Sequence, residues 1–164
     1  MKIFIDGSAG TTGLRIKDRL MKRSDVELIT LSEEQRKDTE SRKQALNSAQ
    51  VAFLCLPDAA AVEAVELVEN PDTVIIDTST AHRTSEGWAY GFPELSAEFE
   101  DKIKNSKRIA VPGCHAGGFI ALVYPLVEAG VLGNDALLSC YSLTGYSGGG
   151  KKMIAEYESE DKSP

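Results

Sequence analysis

Met1-Lys2-Ile3-Phe4-Ile5-Asp6-Gly7-Ser8-Ala9-Gly10-Thr11-Thr12-Gly13-Leu14-Arg15-Ile16-Lys17-Asp18-Arg19-Leu20-Met21 opens the chain, and its reading decides the fold. Lys2–Asp6 is a short apolar run and predicts a strand. Leu14, Ile16, Leu20 and Met21 recur at helical spacing and predict a helix. Between them, glycine stands at every third position, Gly7, Gly10 and Gly13. Such a turn lets a phosphate oxygen approach backbone N–H groups that side chains would screen, and the helix N-terminus adds partial positive charge. The pattern is G-x-x-G-x-x-G, whereas the usual dinucleotide fingerprint is G-x-G-x-x-G. A turn that uses glycine for geometry alone therefore competes, but the strand before and the helix after favour a phosphate cradle. Gly7, Ser8, Gly10, Thr11, Thr12 and Gly13 are its candidate contacts.

Downstream the same alternation repeats. Val26–Leu31 predicts a second strand, Ser32–Asp38 a polar loop and Glu40–Asn47 a short polar helix. Val51–Leu56 is a continuous apolar strand of the kind covered on both faces. Pro57-Asp58 opens a helix that runs to Val68, and Thr73–Ile76 is a fourth strand ending at Asp77. Thr78–Pro93 lacks periodicity and predicts an extended loop. Ser96–Ile103 predicts a serine-capped helix, and Arg108–Val111 a fifth strand. Pro112-Gly113-Cys114 is a turn before an apolar helix at His115–Ala129, and Leu137–Leu143 predicts another strand. Strands alternating with helices indicate a parallel sheet with right-handed crossovers. The expected class is α/β, a Rossmann-like doubly wound sheet over 1–112. Residues 113–164 begin a second, α+β domain that stays incomplete, and the polar stretch Glu156–Pro164 reads as a cut end.

Length and charge narrow the function. A chain of 164 residues has room for one good core. With 25 acidic against 18 basic residues, the net charge of −7 speaks against a nucleic-acid or anionic-membrane partner. It leaves space for a local basic pocket. The start lacks the features of a signal peptide, and no run approaches the roughly 20 apolar residues of a membrane span. Three cysteines, an odd count without metal-ligand spacing, disfavour a disulfide framework or a metal site. A cytoplasmic setting is the default.

The second strand ends Thr30-Leu31-Ser32, without the carboxylate that often holds the ribose of NAD. Ser32, Arg36 and Lys37 instead favour a 2′-phosphate, and so NADP; the competing reading has Arg36 and Lys37 balance Glu33 and Glu34 on a solvated face. Cys114 stands at a helix start, where unpaired N–H groups stabilise a thiolate, the setting of a nucleophile. Cys55 and Cys140, inside apolar strands, read as small core hydrophobes. His115 adjoins Cys114 but points about 100° away on a helix, a poor geometry for its base. His82 follows the fourth strand at the edge where ligands bind; a ligand contact and a plain loop histidine are both open.

Five stretches carry a resemblance. They are Gly7–Gly13, Asp77–Arg83, Tyr90-Gly91-Phe92-Pro93-Glu94-Leu95, Pro112-Gly113-Cys114-His115-Ala116-Gly117-Gly118, and Thr144–Lys152. In this order the chain resembles the N-acetyl-gamma-glutamyl-phosphate reductase family in its shorter variant. The related aspartate-semialdehyde dehydrogenases usually carry Asn where Gly113 stands. The resemblance implies that Cys114 attacks an acyl phosphate, that phosphate leaves a thioester, and that reduction with NADPH releases an aldehyde. It places the Gly145–Gly150 loop near the nicotinamide and the reacting carbonyl. Pro57 and Ser79, at strand ends, with Ser147 and Gly148 in that loop, complete the expected cofactor contacts. Lys151 or Lys152 is available for a phosphate. The family's histidine base and C-terminal region lie beyond these residues, so the chain reads as about half of an enzyme, inactive alone and homo-oligomeric when complete, acting on a small acyl phosphate. Two alternatives stay open, an aspartyl-phosphate reductase and a non-catalytic NADP-binding module; the latter has no need of a thiol at a helix start.

Overall fold

Ile3, Phe4 and Ile5 are all buried, so the strand that holds them, β1 (Lys2–Asp6), is covered on both faces and lies inside a sheet. The computed structural model describes residues 1–159, and of Lys151 and Lys152 the backbone alone. After β1 come α1 (Thr11–Leu20), β2 (Glu27–Ile29), α2 (Thr39–Ser48), β3 (Val51–Leu54), α3 (Asp58–Glu66) and β4 (Val74–Asp77). They are followed by β5 (Ala89–Tyr90), α4 (Ala97–Asn105), β6 (Arg108–Ala110), α5 (Cys114–Glu128) and α6 (Gly150–Glu158). The strands form one sheet in the order β2-β1-β3-β4-β6-β5, and every pair is parallel. The chain leaves β1 to one side for β2 and returns to the other side for β3. That reversal is the switch point at which sheets of this class open a crevice beyond their carboxyl ends.

The core lies between β1, β3, β4 and the helices α2 and α3. Phe4, Leu46, Leu54 and Ile75 fill it. Besides Leu46, the residues buried on the helix side are Ala45, Ala49, Ala61 and Ala64, and their short side chains let α2 and α3 sit close to the sheet. Caps fix the helix starts: Asp38 accepts from Ser41 N at 2.8 Å ahead of α2, and Ser96, the expected cap, accepts from Phe99 N ahead of α4.

The predicted elements other than Leu137–Leu143 are found with ends shifted by a few residues, and the helix α6 stands where the residues predict only a glycine loop and a polar end. Residues 78–93 are not all loop: Ala89–Tyr90 pairs in parallel with β6, too short a strand for any periodicity to show. Within Ser32–Asp38, Gln35–Lys37 forms a 3₁₀ turn. Leu137–Leu143 is not a strand. Leu137, Tyr141 and Leu143 are 101%, 87% and 81% exposed, and no described segment pairs with them. A strand is held by its ladder, and without a partner its backbone groups turn to water. Cys140, on that segment, is accordingly exposed and not a core residue; Cys55 lies one residue past β3 and is half-buried. Among the described residues no helix is long and apolar enough to cross a membrane.

Candidate active site

The glycine turn is built by contacts that leave no room for side chains. Gly7 has φ +81°, and a Cβ on it would strike the Cys55 carbonyl oxygen across the switch point. A Cβ on Gly13 would strike Gly7 O and stand 2.8 Å from Ser8 Cα. Gly10 N donates to Gly7 O at 3.0 Å and closes the turn. Helix α1 starts from Gly10 with no side-chain cap, so no side chain claims its first N–H groups. A dinucleotide pyrophosphate needs such a cradle, and these residues fit it.

Gly10, Thr11 and Thr12 form one wall of a cleft of about 810 Å³. The carboxyl ends of the strands supply the rest: Cys55, Leu56 and Pro57 after β3, Thr78 and Arg83 after β4, and Val111, Pro112, Gly113 and Cys114 after β6. Ser147 and Gly148 close it from the later loop. Cys114 is the first residue of α5, is exposed, and follows Gly113, an N-cap without a side-chain bond. Two uncapped helix starts, those of α1 and α5, thus line the same cleft. Cys114 also borders a second groove of about 430 Å³, with His115, Phe119, Leu138 and Tyr141 among its walls. His115 Nδ1 is hydrogen-bonded to Ser142 there. Cys55 is half-buried, and burial pushes its thiol up to about 11.

Not every expected residue reaches the large cleft. Ser8 and Arg36 line a separate cleft of about 210 Å³ beside Gly7, with Arg42, Leu56 and Ala60. Arg36 also lies 3.7 Å from Glu33, so the cation borders the cavity while it neighbours a carboxylate. Ser32 is exposed; its hydroxyl accepts from Gln35 N at 3.2 Å, and its carbonyl accepts from Arg36 N at 3.0 Å. Lys37 is exposed and lines neither cleft. Ser79 is buried, and its Oγ donates to Asp77 Oδ2 at 2.6 Å and not to the cleft. The side chains of Lys151 and Lys152 lie outside the described residues.

Three cations were missed. Arg15 and Arg19, one turn apart on α1, face the large cleft; their i, i+4 spacing was the available signal. Arg83 donates Nε to Val111 O at 3.0 Å and Nη2 to Thr78 O at 3.3 Å. A Cβ on Gly113 would lie 2.6 Å from Arg83 Nη1, so the glycine beside Cys114 makes room for a guanidinium.

A family model described as the semialdehyde dehydrogenase NAD-binding domain matches residues 2–105, which include the glycine turn and all strands but β6. The chain belongs to this family. Members of the semialdehyde dehydrogenase family are represented among its relatives by N-acetyl-gamma-glutamyl-phosphate reductases. One from Chelativorans sp. is 54% identical over 96% of this chain and 51% of its own length. Another, from Trichormus variabilis, is 50% identical over 96% of this chain and 49% of its own. The chain thus spans about half the length of the curated relatives it matches. Among solved structures, the aspartate semialdehyde dehydrogenase from Francisella tularensis superposes with a TM-score of 0.67 at 17% identity, over 95% of this chain and 48% of that one, which shows a shared fold.

Proposed function

We propose that this semialdehyde dehydrogenase-type chain is the dinucleotide-binding half of an NADPH-dependent N-acetyl-gamma-glutamyl-phosphate reductase of arginine biosynthesis, with residues 113–164 beginning its substrate domain. The carrying observation is that Cys114, at the start of α5, lines the cleft that the glycine turn opens.

Gly7, Gly10, Thr11, Thr12 and Gly13 would hold the pyrophosphate, Ser8 and Arg36 the 2′-phosphate, and Pro57, Ser147 and Gly148 the other end of the cofactor. Bound NADPH supplies the reducing equivalent. The Cys114 sulfur attacks the acyl carbon, the carbon–oxygen bond to phosphate breaks, and phosphate leaves with the bonding electrons, so that a thioester remains. Arg83, a cation beside Gly113, offsets the charge of the departing phosphate. Reduction of the thioester releases the semialdehyde and returns the Cys114 thiolate. Cys55 takes no part, since its thiol stays protonated at neutral pH. The proton-transferring base and the surfaces that orient the substrate belong to the other half of the enzyme, a cytoplasmic homo-oligomer whose partner is a small acyl phosphate and neither nucleic acid nor membrane.

The test is a fusion of this chain to the C-terminal half of the Chelativorans relative, assayed for phosphate-dependent reduction of NADP with N-acetylglutamate 5-semialdehyde. We expect turnover from the fusion and none from the 164-residue chain alone, which should bind NADPH. Cys114→Ser should lower kcat by about 10³-fold or more. Retention of roughly a tenth of kcat, a barrier change of about 1.4 kcal/mol, would sink the covalent role.

A further inference from the structure

Behind the cleft wall lies a polar cluster that the proposed chemistry leaves unused. Asp77, the last residue of β4, is fully buried. Its carboxylate accepts from Ser79 N at 2.9 Å, from Ser79 Oγ at 2.6 Å and from His82 Nδ1 at 2.6 Å. A carboxylate has only acceptor sites to offer, so Nδ1 is the ring nitrogen that carries the proton in this pair. His82 is 8% exposed, and the Trp88 ring stacks on it with centroids 4.1 Å apart and planes inclined by 11°. A second carboxylate, Asp58, accepts from Thr80 N at 2.9 Å and from the Thr80 hydroxyl. The turn over residues 78–82 is therefore tied at three points. Burying an ionised carboxylate is costly unless several donors meet it. Here all three donors come from the turn that follows its own strand, so the bonds that satisfy the carboxylate also set the path of that turn.

The residue the turn delivers is Arg83. It follows His82 directly, and its guanidinium lies against Gly113, next to Cys114. We infer that Asp77 and His82 are positioning residues that set the Arg83 guanidinium beside Cys114 and so shape the place where the substrate's phosphate is received. This inference rests on the reading proposed above, in which Arg83 meets that phosphate. His82 does not line the cleft; it acts through the direction in which its neighbour leaves the turn.

Alkylation of the full chain by iodoacetamide, resolved to the Cys114 peptide by mass spectrometry, tests it with inorganic phosphate as the probe and NADPH affinity as the second readout. Phosphate should slow alkylation of Cys114 in the parent chain, and Arg83→Ala should abolish that protection. His82→Ala should raise the phosphate concentration needed by about tenfold or more, because a guanidinium displaced by an ångström no longer meets the anion. Its NADPH affinity should stay within about twofold of the parent's, since the glycine turn lies on other strands. His82→Asn, which puts its amide nitrogen near the place of Nδ1, should restore protection, and His82→Gln should not. Parent-like protection in His82→Ala overturns the inference. So does a parallel loss of phosphate protection and NADPH binding with a lowered Tm, which marks a purely structural role. If phosphate protects Cys114 in no variant, the parent included, the phosphate-site reading itself fails and the inference falls with it.

Discussion

Residues 1–110 and 111–159 differ in how they hold their shape. Every buried residue among those described, from Ile3 to Ala110, belongs to the first region. The second has an apolar helix of 15 residues, α5, in which none is buried, and an extended segment whose Leu137 and Leu143 face solvent. Yet α5 forms a helix even with Pro125 inside it, while Leu137–Leu143 is no strand. A helix closes its hydrogen bonds within itself, so an apolar helix can form on one flank of a domain without a core of its own. A strand makes its backbone bonds with other segments and none within itself, and its side chains need a second layer to cover them. The same chain thus keeps what is locally self-sufficient and leaves open what depends on distant partners.

Three measurements sharpen or break that contrast. The largest effect is expected in the core: Leu46→Ala on α2, fully buried, should cost about 2–5 kcal/mol, read as a lowered urea midpoint. A cost under about 1 kcal/mol would mean that the core is looser than its burial shows. An intermediate effect is expected at the cofactor. Arg36→Ala should weaken NADPH by about 1.5–3 kcal/mol, roughly 10- to 150-fold, with little change for NADH. Equal losses for both cofactors in a titration would remove the 2′-phosphate role and leave Arg36 as the partner of Glu33. The smallest effect belongs to the second region. Leu137→Ser with Leu143→Ser should change unfolding free energy by no more than about 0.5 kcal/mol, and should reduce self-association in sedimentation, because exposed apolar side chains invite it. A large stability loss would show that this segment packs against something in solution.

The glycine turn between a strand and a helix, the alternation that follows it, and Cys114 after Pro112-Gly113 were legible in the residues alone. Each depends on neighbours within about a dozen positions: glycine where the backbone must come close, periodicity where one face is covered, a breaker where an element starts. What the residues alone could not settle depends on which segments lie side by side. β5 exists because two residues meet β6. Leu137–Leu143 has strand-forming residues and no strand, because pairing is a property of two segments. Ser79 carries the right hydroxyl for a cofactor and spends it on Asp77, and His82, which the residues left open between ligand contact and loop, proves to be a buried partner of that same carboxylate. Arg83, 31 positions before Cys114, lies against Gly113, the residue before it, only because β4 and β6 are adjacent in the sheet. Chemistry of residue types is written locally; their juxtaposition is decided by the order of strands, where residues far apart along the chain become neighbours a few ångströms away.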